Sequence, residues 1–103
     1  MDNGYTDPVT FTWDPTKASD NLKNHSVDFR EAATVFDDPL STTFPDTDHS
    51  IGERRFLIIG MSALVRILVV SHTETGDIVR IISARTATAH EQKFYEEDES
   101  NRS

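Results

Sequence analysis

Apolar and polar residues alternate over 9–13: Val9, Phe11 and Trp13 share one parity and Thr10 and Thr12 the other, the period of a half-buried strand. The period then lengthens. Asp14-Pro15 joins an N-cap acceptor to a residue whose fixed φ suits the first helical position. Ala18, Leu22 and His25 follow at i, i+4 and i+7, which predicts a helix of about three turns. A second helix start lies at Asp28, whose carboxylate can accept from the Glu31 amide while Glu31 reaches back, a reciprocal capping box. Phe29, Ala32, Ala33 and Phe36 form the apolar stripe of that helix, and Asp37-Asp38-Pro39 ends it. The pattern predicts a helical hairpin hinged at Ser26-Val27.

Residues 40–51 are polar and contain Pro45, which reads as a loop with one short strand around 42–44. From Arg54 the character changes. Three β-rich runs, 55–61, 64–73 and 78–84, are separated by Ser62-Ala63 and by 74–77, the spacing of an antiparallel meander. The second and third runs are nearly continuous in Ile, Leu and Val, as in strands covered on both faces. Thr86 then suits an N-cap for a last helix over 87–97, with Ala87, His90 or Glu91, and Phe94 along one side. The predicted class is α+β: an antiparallel sheet of three to four main strands packed by two N-terminal helices and one C-terminal helix. Residues 1–8 and the acidic 98–103 are expected to be disordered extensions, which leaves 9–97 as one domain.

With 103 residues the chain is near the commonest domain size, and it contains no cysteine, which removes disulfides, thiolate catalysis and thiolate metal sites and fits a reducing cytoplasm. No uninterrupted apolar run exceeds four residues, far short of the roughly 20 that span a bilayer. Residues 1–8 hold two acids, no base and no apolar run, so no secretory signal is expected there. The net charge of −8 argues against non-specific polyanion binding. The charge is uneven, however. Residues 49–95 carry four acids (Glu53, Glu74, Asp77, Glu91) against six bases (Arg54, Arg55, Arg66, Arg80, Arg85, Lys93). Five of those six are arginine, whose planar fork suits bidentate contact with phosphate, so an anionic ligand is expected in the second half.

Several residues there could carry chemistry. Arg80 interrupts the apolar run 78–82, where a charge needs a partner, an opening or a ligand. Its alternatives are an anion contact and an ion pair with Glu53 or Glu91. Arg85 stands at the junction with the last helix, beside amides that suit an anion. Arg54 and Arg55 open a strand and point to opposite faces, so one of them is expected in a cleft. His25, closing the first helix, is open between a cation at a helix C-terminus and an acid/base or phosphate contact. His72, ending the middle strand, is open between a site at the sheet edge and a packed imidazole. Asp48-His49 is a weak metal pair, and no phosphate loop, dinucleotide fingerprint or nucleophile elbow occurs.

The segments Phe11-Thr-Trp-Asp-Pro-Thr-Lys-Ala18, Asn21-Leu-Lys-Asn-His-Ser-Val-Asp-Phe-Arg-Glu-Ala32 and Val35-Phe-Asp-Asp-Pro39 resemble the BrnT toxins of bacterial type II toxin–antitoxin systems. Asp46-Thr-Asp-His49, Glu53-Arg-Arg55, Gly60, Leu68-Val-Val-Ser-His-Thr73, Arg80-Ile-Ile-Ser-Ala-Arg85, Glu91 and Tyr95 extend the resemblance over 11–95. It implies a RelE-like fold and a metal-independent endoribonuclease, without cofactor, that inhibits translation. It further implies neutralisation by a BrnA-like antitoxin with a ribbon-helix-helix domain, in a dimer-containing hetero-oligomer that touches operator DNA only through the antitoxin.

On that reading Arg80 and Arg85, with Arg54 or Arg55 opposite, neutralise the phosphorane formed when a 2′-hydroxyl attacks phosphorus. His25, His72 and Glu53 move protons, and Tyr95 stacks on a base or donates a proton. Where the family carries Lys-His-Gly-Val, this chain has Asn24-His25-Ser26-Val27, with one positive charge and one flexible joint fewer. The alternative is a catalytically weak antitoxin-binding module that modulates operator binding.

Overall fold

The computed structural model describes residues 8–100. In chain order it contains β1 (Thr10–Thr12), α1 (Pro15–His25), α2 (Phe29–Thr34) continued by a 3-10 turn (Val35–Asp37), β2 (Thr42–Pro45), a second 3-10 turn (Thr47–His49), β3 (Phe56–Met61), β4 (Ile67–Thr75), β5 (Ile78–Thr86) and α3 (Ala89–Ser100). Of the extensions expected at 1–8 and 98–103, residues 1–7 and 101–103 lie outside the described residues, and 98–100 continue α3.

The sheet has five strands in the order β1-β5-β4-β3-β2. The α+β class is as predicted, but the sheet is mixed rather than antiparallel throughout. β1 pairs in parallel with β5, Thr10 opposite Ile78 and Thr12 opposite Arg80, while every other pair is antiparallel. Alternation in 9–13 identifies a strand but not its partner, which here is the last strand of the chain. The β4–β5 hairpin closes through Gly76-Asp77, with Gly76 at φ +60°, a backbone region that costs glycine little.

β4 is buried on both sides. On one face α1 and α2 bring Val27, Phe29, Ala32 and Val35 against Ile58, Leu68, Val70, Val79, Ile81 and Ala84. On the other, α3 brings Tyr95 against Ile59, Val69 and Ala87, with Leu40, Leu57, Met61 and Ile67 at the margin.

Local signals set the helix ends, with three differences from the predicted pattern. Asp14 caps α1 as expected, its Oδ1 accepting from the amides of Thr16 (2.7 Å) and Lys17 (3.2 Å). The inner face of α1, however, is Ala18 and Asn21 rather than Leu22, which is half-exposed. Asp28 caps α2 through the Arg30 amide (2.7 Å), not that of Glu31, and the expected capping box is absent. Glu31 turns inward instead, accepting from Ser62 Oγ (2.7 Å), Arg66 Nε (3.0 Å) and Arg66 Nη2. Paired hydrogen bonds from a guanidinium outweigh one solvent-exposed cap contact. Finally, Thr86 belongs to β5, and the reciprocal box sits two residues later. Thr88 Oγ1 accepts from the Glu91 amide (3.2 Å) and Glu91 Oε1 from the Thr88 amide (2.9 Å). α3 thus turns Glu91 and Tyr95 inward and leaves His90 and Phe94 exposed.

A bulge interrupts the β4–β5 ladder. Ser71 faces Ser83 and His72 faces Ile81, so Ile82 stands opposite no β4 residue. The extra residue reverses the side-chain parity of β5 beyond it. Val79, Ile81 and Ala84 all point toward α1 and α2, and Arg80 and Arg85 point to the α3 side.

Candidate functional site

α3 covers only part of its face. Beside it, β3, β4, β5 and the loop that precedes β3 enclose an open cleft of about 430 Å³, lined by Asp46, Asp48, His49, Arg55, Leu57, Ser71, Ile82, Ser83 and Arg85. The loop is tied at its base. The Asp46 amide donates to the Arg55 carbonyl (2.8 Å), Ser50 Oγ donates to the Asp46 carbonyl (2.6 Å), and the Arg55 amide donates to Ser50 Oγ (3.0 Å). Asp46 and Arg55 are thereby held next to each other.

Arg55 shares its face with Leu57 and lines the cleft, where its Nε is buried and has no hydrogen-bond partner among the described residues. Arg54 takes the opposite face, with its guanidinium 5.4 Å from the centroid of the Phe56 ring, a cation–π contact outside the cleft. Arg85 approaches from β5. Its Nη1 and Nη2 donate to the two carboxylate oxygens of Glu91 at 2.7 and 2.9 Å. That fork is the main reason the Glu91 carboxyl is pulled down to about 2; burial opposes it and the Thr88 amide assists. The same pairing raises Arg85 above its ordinary value. The Arg85 side chain remains 42% exposed, so the pairing leaves part of its charge open to the cleft.

Arg80 lies on the same face and is bonded to Glu53, Nη2 to Oε1 at 2.6 Å, with both side chains near half-exposed. The pair does not line the cleft. His49 also lines the cleft, its Nδ1 3.0 and 3.1 Å from the two oxygens of the Asp46 carboxylate.

Other predicted residues lie elsewhere. His72 is fully buried on the α1–α2 side, edge-on to Phe36 (centroids 4.8 Å apart) and stacked on Phe56 (5.9 Å), with Nε2 at 2.8 Å from Glu74 Oε2. It is the packed imidazole of the two readings. His25 is exposed at the end of α1, and no residue of α1 or α2 lines the cleft. Tyr95 is 3% exposed, its hydroxyl donating to Asp38 Oδ2 (2.6 Å), so its ring has no face open to a base.

The cleft therefore joins Arg55 and Arg85 to residues not predicted to act with them, above all Asp46 and His49. The usable signal was the Asp-x-x-His spacing on a helical turn, which selects Asp46 rather than the adjacent Asp48 as the imidazole's partner. No cluster of three His, Cys, Asp or Glu residues placed for a metal exists among the described residues. Two guanidinium groups and one carboxylate-oriented imidazole around an open space suit an anion that must exchange a proton.

A model of the family described as "Ribonuclease toxin, BrnT, of type II toxin-antitoxin system" matches residues 13–91. Among solved structures, the 1.1 Å crystal structure of the Brucella abortus ribonuclease toxin BrnT is similar in fold, with a TM-score of 0.61 and 24% identity over 78% of this chain and 97% of that one. No curated protein matches the sequence.

Proposed function

Because the chain belongs to the BrnT family of ribonuclease toxins of type II toxin–antitoxin systems, we propose that it is a metal-independent endoribonuclease whose RNA backbone enters the cleft between Arg55 and Arg85. The observation that carries this reading is the buried Arg55 Nε, a donor without a protein partner, beside the partly open Arg85 fork. Buried donors are ordinarily satisfied, and a phosphate drawn between the two guanidinium groups brings acceptors to both.

In the proposed reaction a ribose 2′-oxygen attacks the adjacent phosphorus and the bond to the 5′-oxygen breaks, leaving a 2′,3′-cyclic phosphate and a 5′-hydroxyl. Negative charge grows on the non-bridging oxygens, and fixed guanidinium donors stabilise it more than they stabilise the ground state. Arg80 and Glu53, bound to each other, serve this as a rim that positions the RNA rather than as reacting groups.

The cell-level part of the proposal is inhibition of translation in the cytoplasm. Relief comes from a BrnA-like antitoxin with a ribbon-helix-helix domain, in a hetero-oligomer that reaches operator DNA only through that partner. No helix of the described residues is long and apolar enough to cross a membrane.

One observation favours the second reading, a catalytically weak antitoxin-binding module: both Arg80 and Arg85 already have carboxylate partners. Expression without the antitoxin separates the two. Growth arrest, together with cleavage of RNA by the purified chain in excess EDTA, supports the nuclease. Intact RNA alongside a stable complex with the antitoxin supports the module.

A further inference from the structure

We infer that His49, oriented by Asp46, is the group that takes the 2′-hydroxyl proton, an assignment that rests on the endoribonuclease reading. Asp46 precedes the 3-10 turn Thr47–His49, where an aspartate ordinarily caps the turn, yet its side chain makes no cap hydrogen bond. Both oxygens lie instead at hydrogen-bond distance from His49 Nδ1, at 3.0 and 3.1 Å. An ionised carboxylate can only accept, so the proton of the neutral ring sits on Nδ1 and the lone pair on Nε2. That tautomer leaves Nε2 free to accept a proton.

Burial divides the pair in the same sense. The Asp46 side chain is 12% exposed and the His49 side chain 67%, so the orienting group is shielded while the imidazole is accessible. No further hydrogen bond holds the His49 ring among the described residues. The ties at the base of the loop fix Asp46 to the backbone of Arg55, so the imidazole and the donor proposed for phosphate ride on one closed loop. Of the other imidazoles, His72 is buried on the far face, His25 ends α1, and His90 lines an apolar groove on α3. His49 is the one that lines the cleft. The charged groups around it there are Asp46, just before its turn, Asp48 on the turn, Arg55 just before β3, and Arg85 on β5 backed by Glu91 of α3.

The step balances without a co-reactant other than water. The 2′-oxygen bonds phosphorus as its proton passes to Nε2. The bond from phosphorus to the 5′-oxygen breaks, that oxygen takes a proton from cleft water, and the imidazolium returns its own proton to solvent.

The test uses the full chain, a labelled single-stranded RNA and excess EDTA, with kcat and KM measured from pH 5 to 9 for the wild type, His49→Ala, His49→Gln, Asp46→Asn and Arg85→Ala. The wild type is expected to gain activity as pH rises, as a reaction that needs a neutral imidazole does. Both His49 variants should lose about 10²- to 10⁴-fold in kcat, keep KM within about threefold and lose that pH limb. Asp46→Asn should keep the limb displaced and lose less. Because His49 is mostly exposed, its variants should melt with the wild type; if the alanine variant does not, the glutamine variant is read in its place. Variants that keep both kcat and the limb while Arg85→Ala loses about 10²-fold in cleavage overturn the His49 assignment and leave the cleft reading standing. A wild type that leaves RNA intact overturns both.

Discussion

Arg80 and Arg85 are separated by an odd number of positions on β5, yet both project from the same face of the sheet, because the bulge at Ile82 lies between them. In a regular strand that spacing would turn one of the two into the core. The bulge brings two cations to one side, but they do not serve equally. Arg85 lines the cleft, and Arg80 is bound to Glu53 outside it. Arg85→Ala is therefore expected to lower RNA cleavage by about 10²-fold, the usual effect of removing one charge-stabilising donor, and Arg80→Ala by about tenfold or less. Initial rates on a defined RNA check this. Equal losses would mean that Arg80, too, meets the scissile phosphate.

Glu91 links the site to pH. Its carboxyl, at about 2 in the folded chain against an ordinary 4.5, is held down chiefly by Arg85. A depressed acid stabilises the fold above its unfolded value, and the contribution fades as pH falls from about 4.5 toward 2. Glu91→Gln keeps an acceptor for the Thr88 amide while it removes the charge and one of the two oxygens that the Arg85 fork uses, so it tests the ion pair. The variant should be about 1 kcal/mol less stable at pH 7, a small figure because Arg85 is substantially solvated. The difference should vanish near pH 2. Urea titrations at both pH values measure it, and a constant difference would show that packing rather than charge is responsible.

Features set by neighbours in sequence were legible before the fold was known. The Asp14-Pro15 helix start, the stop at Asp37-Pro39 and the hairpin containing Gly76 each depend on a few adjacent residues. Pairings across the chain were not. The parallel place of β1 depends on which edge of the sheet is free, and the inward turn of Glu31 depends on Arg66 arriving from a distant loop. The site divides in the same way. That one of Arg54 and Arg55 enters a cleft follows from strand parity, whereas His72 and Tyr95 carry polar atoms whose partners, Glu74 and Asp38, permit burial. Asp46–His49 was readable as a helical i, i+3 pair, but only with the 3-10 turn in place.

The Glu31–Arg66 pair supports the fold away from the cleft. The Glu31 side chain is 5% exposed and Arg66 35%, so the carboxylate is the costlier group to strand. Arg66→Ala should destabilise by about 3 kcal/mol, as for other buried pairs broken on one side, and Glu31→Ala by about 2 kcal/mol, because the freed guanidinium can reach water and keeps its bond to the Ser26 carbonyl. Arg66 holds the Glu31 carboxyl below its ordinary value. Losing Arg66 raises it, so the deficit of Arg66→Ala should shrink as pH falls below about 4.5. Denaturant midpoints at pH 7 and pH 4 decide it; an order of Glu31→Ala above Arg66→Ala would contradict the burial argument.

Asn21 completes the sheet where β1 stops. β1 pairs with β5 only as far as Thr12 opposite Arg80, so the β5 edge beyond that point lacks a strand. Ala84, buried on that stretch, still has both backbone groups satisfied. Its amide donates to Asn21 Oδ1 (3.0 Å), and its carbonyl accepts from Asn21 Nδ2 (2.8 Å), which also donates to the Val27 carbonyl (3.0 Å). The side-chain amide acts as one peptide of the missing strand, and it locks α1 to both β5 and the α1–α2 hinge. Asn21→Ala leaves three buried backbone groups without partners and should cost about 3 kcal/mol. Asn21→Asp should cost at least as much at pH 7, where a carboxylate faces two carbonyls with no donor. Part of that loss should return on acidification, since a protonated carboxyl donates one bond. Hydrogen exchange at the Ala84 amide should accelerate in both variants. An Ala84 amide as protected as in the wild type would mean that some other group closes this edge.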